Sequence, residues 1–191
     1  MNILLGFAPY IAFYLLTRGV SVEIGLWAAL AVALVNAGRD WARSGSLKVL
    51  EIGTVLLFAA LAGFTAALQW PWTLMGVRLA VDGGLLAIVL ASLAIGRPFT
   101  LQYARERVPR AVWAMPLFLA INRRITWAWA GAFAVLVASH AALIVDPALP
   151  LWLDIAVTVA ALAAAVRFTA WYPARARRAA GAASGRSPRA E

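Results

Sequence analysis

The sequence predicts an all-α fold, a polytopic membrane helical bundle. Three observations carry that reading. First, the 191 residues are 64% hydrophobic and only 13% charged, against roughly 45–50% apolar and 25% charged in a soluble domain. Second, the apolar residues come in long runs, and the mean hydropathy is +0.83, so the runs read as membrane spans and not as one oversized core. Third, the arginines collect at the ends of those runs. About six transmembrane helices are expected, or five if the first does not cross. An amphipathic interfacial segment lies between spans four and five. Residues 1–173 form a single transmembrane domain and residues 174–191 a basic tail.

The first apolar run covers 3–17. It is short for a core that takes about 20 helical residues, and Pro9 in its middle predicts a kink. It has no Lys or Arg before Arg18 and no small-residue cleavage site, so it reads as a retained span and not as a signal peptide. Arg18-Gly19 gives a tight turn into span two, 20–37, with Glu23 in its first turn and Trp27 a turn further in. A polar loop follows at 39–48, holding Arg39, Asp40, Trp41, Arg43 and Lys48. Span three is 49–68. Gln69-Trp70-Pro71-Trp72 is an uncharged turn whose tryptophans suit a headgroup interface.

Span four, 73–95, holds Arg78 and Asp82, four apart on one helix face. Gly83-Gly84 follow, where a neighbouring helix can approach closely. The segment 97–124 is the longest that cannot sit in hydrocarbon. It carries Arg97, Arg105, Arg107, Arg110, Arg123 and Arg124 against one acid, Glu106. Pro98, Pro109 and Pro116 forbid one continuous helix there, so one or two short amphipathic helices on the membrane surface are expected. Tyr103, Trp113 and Phe118 beside the arginines also suit a protein partner. Span five is 125–145 and includes His140. Asp146 to Pro150 is a compact turn, and span six is 151–172. The Ala-, Gly-, Ser- and Arg-rich tail reads as disordered.

The charge count supports six spans. The 39–48 loop, the 97–124 segment and the tail hold three, six and five basic residues, while the loops on the other side hold only Arg18. The positive-inside bias then places both termini in the cytoplasm. A formal charge of +9 is explained by anionic lipid headgroups more simply than by nucleic acid. No internal repeat is visible.

Little in the chain points to catalysis. Without cysteine there is no thiolate nucleophile and no Cys metal site. One histidine and scattered acids leave little for a metal cluster, and no two acids share a spacing that suggests an acid–base pair. No cofactor is implied. Arg78 is expected to snorkel to the interface with Asp82 as partner; the functional alternative is a gate or a headgroup site. His140 is expected to hydrogen-bond a neighbouring helix, with a proton relay as the alternative. Glu23, Glu51, Asp146 and Asp154 lie near span ends, where solvation suffices. The rows Ala59-Gly63-Ala67, Ala130-Ala134-Ala138-Ala142 and Ala156-Ala160-Ala164 suit close helix packing or a homo-oligomer face.

With the spans laid out, the order of features is similar to the family of intracellular septation protein A, a small bacterial inner-membrane protein. The resemblance rests on FAPYIAFYLLTRG, the basic loop after span two, GRPFTLQYARERVPRAVW leading into NRRITWAWAGAFAV, the turn DPALPLW and the closing WYP. Its best block is Pro98 to Gln102, followed by Trp113 and by Asn122 at the entry to span five. Tyr103, Arg105 and Arg123 lie in or beside that block and join the candidate contact residues. The Arg-rich tail, the Arg78/Asp82 pair and the longer YARERVPRAVW loop depart from the family pattern. The resemblance implies a non-enzymatic part in septation, envelope integrity and membrane homeostasis, through contacts with lipid and with division or envelope proteins. The alternative is a small transporter or lipid-handling protein using Arg78, Asp82 and His140.

Overall fold

The computed structural model describes residues 6–184. They form seven α-helices, one 3-10 turn and no strand among the described residues. The helices are α1 (Ala8–Gly19), α2 (Val22–Ser44), α3 (Val49–Leu68), α4 (Leu74–Ala94), α5 (Phe99–Arg105), α6 (Pro116–Val145) and α7 (Leu151–Ser184), with the 3-10 turn at Arg110–Val112. By length and composition α2, α3, α4, α6 and α7 are each able to cross a membrane. Large apolar side chains such as Leu15, Leu56, Leu68 and Val159 face outward, as a lipid-facing surface requires. The chain is a helical membrane bundle.

Local chemistry sets the helix ends. Ser21 Oγ accepts the Ile24 N–H at 3.2 Å and opens α2. Gly45, at φ 63°, closes it, a left-handed position that costs glycine little. Glu51 reaches back to the Lys48 N–H at 3.3 Å and caps α3. Thr73 Oγ1 accepts from Gly76 N–H at 3.0 Å and caps α4. The prolines of the 97–124 segment mark starts: Pro98 and Pro109 precede α5 and the 3-10 turn, and Pro116 is the first residue of α6. Proline is tolerated there because the first-turn N–H groups have no intrahelical partner.

Several expectations change. Helix α2 runs to Ser44, so the 39–48 loop shrinks to 45–48; Asp40 is buried and paired there instead of solvated. Pro9 stands in the first turn of α1 and not in mid-helix, while residues 3–5 of the expected first span lie outside the described residues. Helix α6 begins at Pro116, nine residues before the expected 125. Helix α7 passes through Pro173 to Ser184, so residues 174–184 of the expected disordered tail are helical. Alanine and arginine are strong helix formers, and they carry the helix past a proline that forfeits one hydrogen bond. Helix α5 does not lie flat on lipid: Phe99, Thr100, Leu101 and Tyr103 are buried in the protein.

The shortest apolar helix, α1, is the hub. Phe7, just before it, stacks on Trp129 at 5.0 Å and meets Phe99 edge-on at 6.4 Å. Tyr10 and Phe13 flank Phe58, with centroids at 5.2 and 5.9 Å, and Tyr10 hydrogen-bonds Thr54 at 3.0 Å. Helix α1 thus packs on its hairpin partner α2 and touches α3, while Phe7 before it reaches α5 and α6 and Tyr14 reaches α4. Around it α2–α3, α3–α4, α4–α6 and α6–α7 pack in sequence.

The α3–α4 seam closes through two glycines. A Cβ on Gly84 would stand 2.3 Å from Leu57 Cδ1, and one on Gly53 would stand 2.7 Å from Ile88 Cγ2. Gly83, by contrast, has nothing within 4 Å, so the expected close approach belongs to Gly84 alone. Of the small-residue rows, Ala59, Gly63 and Ala67 all face outward. Gly84→Leu should lower stability by about 1–3 kcal/mol through overpacking. Gly83→Leu should stay within about 0.5 kcal/mol. Thermal unfolding of the two variants in detergent compares them.

Candidate functional site

Arg78 and Asp82 stand one turn apart on α4, and both are buried, at 3% and 1% exposure. Asp82 is eight residues into α4, about 12 Å along the axis. Arg78 does not snorkel. Its guanidinium lies 5.3 Å from the Tyr14 ring centroid, and the Tyr14 hydroxyl donates to both Asp82 oxygens at 2.8 Å. The chain folds this way locally because α1 runs antiparallel to α2, which brings Tyr14, near the end of α1, beside the opening turns of α4.

His140 enters from α6, 1% exposed. Its Nδ1 is 2.9 Å from Asp82 Oδ2 and its Nε2 is 3.4 Å from Asp154 Oδ2. Asp154, in the first turn of α7, is buried and not solvated. It also accepts from Ser139 Oγ at 2.7 Å. Four helices therefore meet in one chain of polar contacts, Arg78–Tyr14–Asp82–His140–Asp154–Ser139. Each ring nitrogen of His140 faces a carboxylate. The two contacts are at ion-pair distance, and Nδ1 makes no hydrogen bond of good geometry among the described residues. The arrangement can fix four helices to one another.

The other sequence candidates lie at the opposite, basic end. Gln102 Oε1 accepts the Val49 N–H at 2.8 Å, joining α5 to the start of α3. Thr100 Oγ1 donates to the Asn122 carbonyl at 2.9 Å, and Asn122 Nδ2 donates to Phe118 O at 2.9 Å. Pro98 opens α5, and Tyr103 is buried with the Lys48 ammonium 4.9 Å from its ring centroid. Arg105 and Arg110 both lie against Trp113, at 5.3 and 5.6 Å. Arg123 is exposed at the rim. The ten candidates thus divide, three at one end of the bundle and seven at the other.

Sequence reasoning missed a second buried cluster at this basic end. Lys48 is 5% exposed. It pairs with Asp40 of α2, with Glu51 of α3 at 3.4 Å and with Glu106 at 2.8 Å. Burial pulls the Lys48 ammonium down, but its hydrogen bonds to Asp40 and Glu106 and the charges of Glu51 and Glu106 outweigh burial. The net displacement is upward from the ordinary lysine range. The one local signal was the Lys48–Glu51 spacing of three. Tyr14, Ser139 and Asp154 carried no local signal. Among the described residues no three His, Cys, Asp or Glu side chains are grouped to hold a metal.

No protein-family model, curated protein or solved structure matches the chain.

Lys48→Gln would remove the ammonium that Asp40, Glu51 and Glu106 share. Removing one partner of a buried ion pair typically costs about 3–5 kcal/mol, so the variant should unfold at a clearly lower temperature than the parent. The sign of the pH effect follows from the raised pKa. Lys48's contribution is complete below the ordinary lysine pKa and is lost as pH climbs through its higher folded value. Thermal unfolding across alkaline pH should show a fall in stability for the parent that is absent in Lys48→Gln.

Proposed function

We propose that this chain is a non-enzymatic multi-pass protein of a bacterial inner membrane. In this reading it supports septation and envelope integrity through contacts at its basic end, as its similarity to the septation protein A family implies. The observation that carries the reading is where the charged groups sit. A transport path needs its ionisable side chains to face water. Here Arg78, Asp82 and His140 are buried against partners from other helices, while Arg97, Arg110 and Arg123 are among the exposed cations of the basic end. By the positive-inside bias that end faces the cytoplasm, where division and envelope-synthesis proteins and anionic headgroups are within reach.

One observation favours a second reading, proton-linked transport or lipid handling. His140 bridges carboxylates from two other helices, and buried intramembrane ionisable groups commonly mark proton relays.

A substitution at His140 separates the two. His140→Gln keeps a polar, hydrogen-bonding side chain but cannot titrate. It loosens a contact that ties α4, α6 and α7 together and should lower the unfolding midpoint. As the sole copy in a cell, at normal membrane level, it should nevertheless leave septa and osmotic and detergent resistance intact, while Arg110→Glu/Trp113→Ser should disturb them. The reverse pattern, a correctly inserted His140→Gln protein that fails while the rim variant works, would select the second reading.

A further inference from the structure

Two open cavities flank α5 at the basic end. One, of about 510 Å³, is lined by Gly96, Arg97, Leu101, Gln102 and Arg105. The other, of about 440 Å³, adds Leu93, Pro98, Leu119, Ala120 and Arg123. Gly96 and Leu101 line both, so the cavities form one trough with a cationic half and a mostly apolar half. Each volume lies within the range of small-molecule sites, about 300–1,000 Å³.

The charge in this trough is one-sided. No acid lines either half. Arg97, Arg105 and Arg123 form no ion pair with a described acid. The nearest acid in sequence, Glu106, is held by Lys48. Arg105 is aimed by its stacking on Trp113, and its Nε is enclosed without a hydrogen-bond partner among the described residues. Gln102 Oε1 accepts the Val49 N–H, which leaves its amide N–H groups as donors. Arginine and amide donors without acceptors suit a phosphate.

The position selects the kind of phosphate. The trough sits where α4 ends and α6 begins, at the depth where a span meets the headgroup layer. A free nucleotide or phosphate would leave Leu93, Leu119 and Ala120 unused. A phospholipid would not, because its acyl chain would lie along them. The frame is rigid as well: Phe99 and Leu101 are buried, and Thr100 is bonded to both the Asn122 carbonyl and Thr126 Oγ1.

We infer that this trough binds one anionic phospholipid, its phosphate at Arg97 and Arg105, with Arg123 beside the apolar half that holds an acyl chain. The inference rests on the membrane bundle and not on the septation reading, so failure of the cell assay above leaves it standing.

The test uses the full chain, purified and stripped of lipid in neutral detergent, with the thermal unfolding midpoint as readout. Phosphatidylglycerol should raise the midpoint, and phosphatidylcholine of the same chains should raise it far less. Arg97→Gln/Arg105→Gln/Arg123→Gln should lose most of the phosphatidylglycerol shift. Arg175→Gln/Arg177→Gln/Arg178→Gln, of equal charge change on α7, should keep it. If the triple site variant fails to fold, Arg123→Gln alone, at an exposed position, should still show a reduced shift. A full shift in the site variants, or an equal loss in the α7 variant, would reduce the effect to diffuse surface charge and overturn the site. The same shift from inorganic phosphate alone would overturn the lipid assignment.

Discussion

One imidazole held between two carboxylates is the interaction on which this bundle depends. His140 of α6 faces Asp82 of α4 and Asp154 of α7, and Tyr14 of α1 closes the other side of Asp82. In a low-dielectric interior a charge without a partner is far more costly than a pair is favourable. Each of these helices therefore has one admissible depth and rotation, the one that returns its polar group to the others. Apolar packing alone would not impose this, since lipid tails solvate leucine as well as protein does.

Lys48 does the same work at the opposite end. Its contacts with Asp40, Glu51 and Glu106 join α2, α3 and the segment after α5. Between the two clusters runs α1, too short to be counted among the long spans, with Phe7, Tyr10 and Phe13 in the aromatic core. The helix that looked least secure as a span brings Tyr10 and Phe13 into that core while Ile11 and Leu15 face outward. The seam between α3 and α4 uses a different device, two glycines that each admit a side chain from the facing helix.

Charge is divided between the two ends of the bundle. Arg78, Asp82 and His140 are engaged with one another and with Tyr14 and Asp154, while Arg97, Arg105 and Arg123 line the cavities beside α5. Helix α5 is itself part of the core, so the basic rim is borne on a fixed support. A rim of this kind holds its arginines in a set arrangement, which a floating surface helix does not.

Much of the fold was legible in the residues because hydrocarbon imposes length and composition directly. Span three was read at 49–68 and found at Val49–Leu68. Span four was read at 73–95 and found at Leu74–Ala94. The helix ends at 44, 116 and 184 were less legible, because polar or proline-containing helix looks like loop to a hydropathy argument. The sites were legible only in part. Arg78, Asp82 and His140 stood out as ionisable groups inside spans, yet the sequence by itself could determine only that they were there. Their convergence, and the burial of Asp154, Glu51 and Asp40, was decided by tertiary structure alone. A carboxylate one turn from a helix end meets water or a partner according to what the neighbouring helices bring to that height, and helix packing, not local sequence, sets that.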